Sequence, residues 1–217
     1  MRGKGFLITM EGNEGSGKST QIKLLYDALK KKGHQVYLTR EPGGTPISDA
    51  IRAVLLDHRN EKMTALCETL LYMASRAQLV DEVIATKLRA GTLVLCDRWL
   101  DATMAYQGTA GGVDKTWIKS LGDKVTQGIR PKLTLFLDLP LLCGLKRATS
   151  HKKADRLERK KIAFHRKVRA GYEAIAKAEP GRFKRVSIKE EDSIAEVHEK
   201  IKKRVEVVLY DAEKRAR

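Results

Sequence analysis

Residues 12–19 read Gly-Asn-Glu-Gly-Ser-Gly-Lys-Ser and satisfy every fixed position of the G-x-x-x-x-G-K-[ST] phosphate-binding pattern. Glycines at 12, 15 and 17 let the backbone curl so that several N–H groups converge on one concavity. The start of a helix adds its partial positive charge there. Lys18 can then reach the outer phosphates and the Ser19 hydroxyl can hold Mg²⁺. The alternative is a glycine turn that only links strand to helix. Against it stand the apolar run Phe6–Met10 before the loop and the helical stripe Ile22, Leu25, Leu29 after it. The expected ligand is ATP or another nucleoside triphosphate, with contacts from Gly12, Asn13, Glu14, Gly15, Ser16, Gly17, Lys18, Ser19 and Thr20.

Further reactive side chains stand at the ends of other apolar runs. Asp97 closes Leu93-Val94-Leu95-Cys96. A lone Asp there can form a turn, or it can help hold Mg²⁺ directly or through water. Arg98 follows it, and a guanidinium offers a phosphate the bidentate geometry that lysine lacks. Arg40 opens Arg40-Glu41-Pro42-Gly43-Gly44-Thr45 after the next apolar run. Arg76 interrupts the helical face of Met73 and Ala77, so it reaches a partner or snorkels outward. An anionic second ligand explains all three arginines together. Tyr72 lies one turn before Arg76; it is either a core tyrosine or a ring that stacks on a base.

Positioning such residues requires elements that end at one mouth. The chain alternates strand and helix: strands at about 6–10, 35–39, 92–96, 132–137 and 183–188, with helices between them, including a long one over Leu66–Leu88 and others over about 141–149, 158–178 and 193–209. Continuous apolar strands alternating with helices predict an α/β fold, a five-stranded parallel sheet covered on both faces, with ligands at the strand carboxyl ends. The 217 residues suit a single domain. Nothing approaches a transmembrane length, and Met1 to Lys4 leads into a strand rather than a signal peptide. Cys67, Cys96 and Cys143 have no metal-ligand spacing and read as core thiols in a reducing cytoplasm. A net charge of +16 allows nucleic acid, anionic membrane or phosphorylated small molecules as partners. No aromatic residues interleave the basic runs at 30–32 and 200–204, which read as solvated helix faces. Binding to nucleic acid or membrane is not expected.

The loop Glu11–Ser19 resembles that of thymidylate kinases. So do Thr39-Arg40-Glu41-Pro42-Gly43-Gly44-Thr45, the Tyr72…Arg76 pair, Asp97-Arg98, Ala105-Tyr106-Gln107-Gly108, Arg130-Pro131 with Leu137-Asp138, and Gly144-Leu145-Lys146-Arg147. The likeness spans nearly the whole chain in the same order. It implies a P-loop NTPase fold and transfer of the γ-phosphoryl of ATP to dTMP, giving dTDP for dTTP synthesis in a cytoplasmic homodimer. By position, Glu14 matches the acidic loop residue near the acceptor sugar and metal. Arg40 and Arg98 match residues on the monophosphate. Tyr72 stands where Phe usually stacks on thymine, and Arg76 matches the arginine at the base. Tyr106 matches the tyrosine that crowds the sugar 2′ position. Pro42, Thr103 and Gln107 complete the implied dTMP pocket, and Ser19 with Asp97 the Mg²⁺ site. Residues 150–157 fall at a mobile lid. Members of the family take the arginine that completes the site from either the phosphate loop or the lid; with glycine at position 15, the resemblance implies the lid and matches Arg156 to it, with Lys152 and Lys153 able to assist.

Such a reaction needs no general base. A monophosphate with a second pKa near ~6 is largely deprotonated at neutral pH, and the five histidines form no catalytic pair. The remaining task is electrostatic, for which Glu14, Lys18, Arg98 and Arg156 are the catalytic candidates. Another P-loop nucleoside or nucleotide kinase and a nucleic-acid-associated NTPase are the alternatives.

Overall fold

The computed structural model describes residues 5–150 and 155–216. Five strands, β1 (Leu7–Gly12), β2 (Val36–Arg40), β3 (Leu93–Asp97), β4 (Leu133–Asp138) and β5 (Phe183–Ser187), form one parallel sheet in the order β2-β3-β1-β4-β5. Parallel pairing sets Ile8 opposite Leu95 and Leu133, and Arg40 opposite Asp97. The central strands β1, β3 and β4 are buried on both sides and read as mostly apolar, whereas the edge strand β5 exposes Lys184 and Arg185.

Successive side chains divide between the two faces. Ile8, Met10, Leu95, Leu135 and Leu137 pack under helices α1 (Lys18–Lys31) and α9 (Ile194–Ala216). On the other face Leu7, Val94 and Cys96 meet Leu79 and Val80. Phe136 and Phe183 stack there with Tyr172 of α8 (Ile162–Ala178), with ring centroids 4.9 Å and 6.2 Å from that tyrosine. The remaining helices are α2 (Pro46–Leu56), α3 (Ala65–Leu79), α4 (Ala85–Arg89), α5 (Leu100–Thr103), α6 (Lys115–Val125) and α7 (Leu141–Ser150).

Three departures from the sequence expectations have physical reasons. The long helix over 66–88 is two helices, α3 and α4, joined through a π-helical turn at Val80–Ile84. Residues 100–110 are helical, with a π-helical stretch at Met104–Ala110. They carry no clean amphipathic stripe because they pack between α6 and α8. The α8 helix begins at Ile162, not Glu158. Asp155 instead accepts from the backbone N–H groups of Leu157 and Glu158, each at 2.9 Å, which closes a turn. Of the three cysteines expected in the core, Cys96 is buried, Cys143 half-buried and Cys67 exposed on α3.

A polar knot crosses the second face. Thr9 and Thr134 share a hydroxyl hydrogen bond of 2.8 Å, Thr134 also donates to Asp101, and Arg182 grips both Asp101 oxygens at 2.7 and 3.0 Å. It ties α5 and β4 to the turn before β5. Asp101→Ala takes two of the charged contacts from a largely buried guanidinium and leaves it the half-exposed Glu179, so a loss of about 2 kcal/mol is expected, read as a lower urea midpoint with an unchanged slope.

Candidate active site

At the carboxyl edge of the sheet, β1 and β3 lie side by side while the chain leaves them in opposite directions, the place where open α/β sheets bind ligands. A cleft of about 590 Å³ opens there. The β1–α1 loop forms its floor. Gly15 has φ +67°, and a Cβ on it would stand 1.9 Å from the Gly144 carbonyl oxygen. No side chain, arginine included, fits at position 15 without displacing α7. Lys18 Nζ donates to the carbonyls of Gly12 and Asn13 at 3.1 and 2.9 Å, which holds it across the loop. Burial, and then the nearby Arg98 charge, lower its pKa.

Ser19 at the start of α1 donates to Asp97 Oδ2 at 2.9 Å. The other carboxylate oxygen, Oδ1, is buried and has no hydrogen-bond partner among the described residues. A buried orphan acceptor beside a hydroxyl oxygen, a few residues from a phosphate cradle, is the hard oxygen donor set that Mg²⁺ takes.

Arg98 follows directly and is one of the few non-glycine residues with positive φ, +73°. That conformation is uncommon for a side-chain-bearing residue. The backbone is held on both sides: Arg98 N–H donates to Met10 O at 3.0 Å, and Trp99 N–H donates to Glu11 Oε1 at 2.8 Å. The guanidinium thereby turns into the cleft. It donates to Tyr172 Oη at 3.2 Å, Glu14 Oε1 at 3.0 Å and Tyr106 Oη at 3.2 Å, and lies over the Tyr106 ring at 5.0 Å. Tyr106 donates to Glu14 at 2.6 Å. Burial alone would raise the Glu14 pKa, but Arg98, Lys18 and the Tyr106 hydroxyl outweigh it and bring it down to about 2. Glu11, deeper and fully buried, goes the other way: burial pushes it up to about 8, with Arg98 at 4.0 Å only partly offsetting this.

Across the cleft, Arg76 is 1% exposed and did not snorkel. Its Nε donates to Glu41 at 2.7 Å and its Nη2 to Thr103 at 3.1 Å, and it lies 5.7 Å from the Trp99 ring. Arg40 meets Asp49 at 3.4 Å, and Arg52 donates to the Pro42 carbonyl at 2.7 Å. Tyr72 and Gln107 complete that wall.

The cleft is therefore lined by Glu14, Gly15, Ser16, Gly17, Lys18, Ser19 and Thr20 on the side of the β1–α1 loop. Arg40, Pro42, Tyr72, Arg76, Asp97, Arg98, Thr103, Tyr106 and Gln107 line the rest. Gly12 and Asn13 lie behind the loop rather than in the wall. Arg156 is not in the wall either. It is 2% exposed, paired with Glu68, with Nε donating to the Leu55 carbonyl at 2.9 Å. Its neighbours Asp155, Leu157 and Glu158 do line the cleft. Of the expected lid, residues 151–154, with Lys152 and Lys153, lie outside the described residues.

Sequence reasoning missed Glu11, Arg52 and Tyr172. A carboxylate in the last turn of an otherwise apolar strand marks Glu11. Arg52 stands seven residues, about two turns, after the Thr45 that caps α2. Tyr172 carries no sequence signal that separates it from an ordinary core tyrosine, and only the fold brings its hydroxyl to Glu11 at 2.8 Å.

A glycine-rich loop between β1 and α1, an acid at the end of β3 and this strand order define a nucleotide-binding α/β protein of the phosphate-loop class. The particular family follows from comparison. A family model described as thymidylate kinase matches residues 10–201. The chain is 50% identical over 185 residues to the thymidylate kinase of Geotalea uraniireducens (strain Rf4), spanning 82% of this chain and 87% of that one. It is 47% identical to that of Geobacter sulfurreducens, over 82% and 87% of the two chains. The crystal structure of the Ehrlichia chaffeensis thymidylate kinase superposes with a TM-score of 0.76 at 31% identity, covering 94% of this chain and 99% of that one. The chain belongs to the thymidylate kinase family.

The raised Glu11 pKa has a consequence for stability. Between the ordinary value near 4.5 and about 8, the folded protein keeps a proton that the unfolded chain has lost. Glu11 therefore favours folding at low pH, and that contribution is lost as pH rises through about 8. In thermal melts the decline in Tm from pH 5 to pH 8 is expected to be smaller in Glu11→Gln than in the parent.

Proposed function

We propose that the cleft transfers the γ-phosphoryl group of ATP to dTMP, giving dTDP. The observation that carries this is one cavity with a phosphate loop on one side and four arginines, Arg40, Arg52, Arg76 and Arg98, on the other. Arg52 meets a backbone carbonyl there, Arg40 only an exposed carboxylate, and Arg98 shares its donors with two hydroxyls, so the wall has guanidinium charge to offer an anionic acceptor. The triphosphate lies along the loop with Lys18 at its outer phosphates. The dTMP phosphate takes Arg98 and Arg40, and the thymine lies by Tyr72 and Arg76 with Pro42, Thr103 and Gln107 around it. Tyr106, fixed by its hydrogen bond to Glu14, stands at the sugar.

Phosphoryl transfer here is a positioning and electrostatic task. The acceptor oxygen is already deprotonated at neutral pH, so no residue removes a proton. Glu14, held ionised by Arg98 and Lys18, orients that guanidinium, and an incoming phosphate competes with the carboxylate for it. Ser19 and Asp97 would hold Mg²⁺, which when bound neutralises phosphate charge. Arg156 is the remaining catalytic candidate. Because it is packed on Glu68, its part in catalysis requires the lid segment to carry it from that carboxylate to the phosphates.

We assign the chain to a single domain and to the cytoplasm. Its free cysteines support a reducing compartment, and no helix among the described residues is long and apolar enough to cross a membrane. A homodimer is the proposed assembly, supported by the exposed apolar side chains of Leu66 and Leu70 on α3, 53% and 47% exposed, and of Val54 on α2, which packs against it.

An ADP-release assay with ATP, Mg²⁺ and a panel of nucleoside monophosphates tests the activity. Turnover with dTMP well above that with AMP or CMP is expected, and activity on AMP or CMP without dTMP overturns it. Arg156→Ala is expected to lower kcat by about 10³-fold while leaving dTMP affinity nearly intact. An unchanged kcat removes Arg156 from the catalytic set.

A further inference from the structure

Glu68 lies on α3 four residues before Tyr72 and eight before Arg76, so all three share one side of the helix. It is 6% exposed, and its two oxygens serve different partners. Oε2 pairs with Arg156 Nη2, while Oε1 accepts from Gln107 Nε2 at 2.6 Å. A carboxylate bound to a buried guanidinium accepts hydrogen bonds and donates none. Of the two ends of the Gln107 amide, only the NH₂ group can therefore face Glu68. Turning the amide over would set carbonyl oxygen against carboxylate oxygen and leave both without a donor, a costly arrangement in a buried site.

Gln107 is 2% exposed and lines the cleft, and its Oε1 accepts no hydrogen bond from the described residues. With the NH₂ tied back, that wall offers a fixed acceptor. The same cleft is lined by Arg76, a group that only donates. An acceptor next to a donor complements a ring N–H next to a carbonyl, the edge of thymine or uracil. Cytosine reverses both positions, with a ring nitrogen that accepts and an amino group that donates.

The geometry points to Glu68 as a positioning residue that sets base selectivity: by locking the Gln107 amide, it makes the pocket select keto pyrimidines over aminopyrimidines. This rests on the acceptor being a pyrimidine monophosphate, as proposed above. Glu68 itself touches no substrate. Its effect passes through Gln107, which it meets with the oxygen that Arg156 does not take.

The experiment measures dissociation constants of dUMP and dCMP by calorimetry for the parent, Glu68→Gln and Gln107→Ala. These two nucleotides differ at the edge in question and both lack the thymine methyl. In Glu68→Gln the donor-only Arg156 keeps the new amide's oxygen, so its NH₂ group faces Gln107 and favours that amide turned over, with its own NH₂ toward the cleft. The preference for dUMP over dCMP is expected to fall by about tenfold or more, with dCMP binding tighter than in the parent. A general loss of pocket shape weakens both nucleotides together and leaves their ratio unchanged, which overturns the proposal. Gln107→Ala is expected to lose the same preference in an otherwise normal Glu68 background. If it keeps the preference in full, the amide is not the reader and the proposal fails, whether or not Glu68→Gln folds. Binding of neither nucleotide, nor of dTMP, to the parent is the separate failure of the functional reading.

Discussion

The site is organised around one buried cation. Arg98 sits at the end of β3 in a left-handed backbone conformation, and its guanidinium touches Glu14, Tyr106 and Tyr172, with Glu11 4.0 Å away. A non-glycine residue persists in that region of backbone space only where its surroundings over-determine it. Here Glu11 does so by taking the next backbone N–H, while β1 takes the N–H of Arg98 itself. The strand order matters for this reason: it places β1 against β3, so the strand that carries the phosphate loop also aims the arginine.

Around Arg98 the site follows one rule, that buried charges are paired. Arg76 has Glu41, Arg156 has Glu68, and Lys18 rests on loop carbonyls beside Glu14. Burial pushes the Glu41 pKa up to about 7 against the pull of Arg76, a measure of how little water reaches that pair. Such pairs contribute little net stability in isolation, yet removing one partner is costly because the other remains buried and uncompensated. They hold donors in place before any ligand arrives, so that anionic substrates meet groups already oriented.

Much of this was legible in the sequence. Apolar runs marked the central strands β1, β3 and β4, which the sheet buries on both faces, while the edge strands β2 and β5 were read from less uniform patterns and expose Arg40, Lys184 and Arg185. The glycine pattern located the loop, and strand-end residues located Arg40, Asp97 and Arg98. What stayed hidden was long-range. Nothing local distinguishes Tyr172 from a core tyrosine, or shows that Glu68 and Gln107, 39 residues apart, share a hydrogen bond. The helical stretch over 100–110 was not read because its residues pack on several sides and show no single apolar face. Arg156 was expected at the phosphates from its position in a lid; the structure holds it on Glu68. Gly15 was read as a glycine that lets the loop curl and as the absence of an arginine, with no sign of the element packed against it. Its contact with the Gly144 backbone shows a positive requirement for glycine.

The role of Arg98 as the residue that receives the acceptor phosphate is tested most directly by comparing dTMP with thymidine, which differs only in lacking that group. Calorimetry on the parent and on folded Arg98→Met gives the affinity that each draws from the phosphate. The expected result is that the ratio of dTMP to thymidine affinity falls by roughly ten- to a hundredfold in Arg98→Met, the size of one charged hydrogen-bonding contact, while thymidine binding changes little. An undiminished ratio, or an equal loss for both ligands, would contradict it.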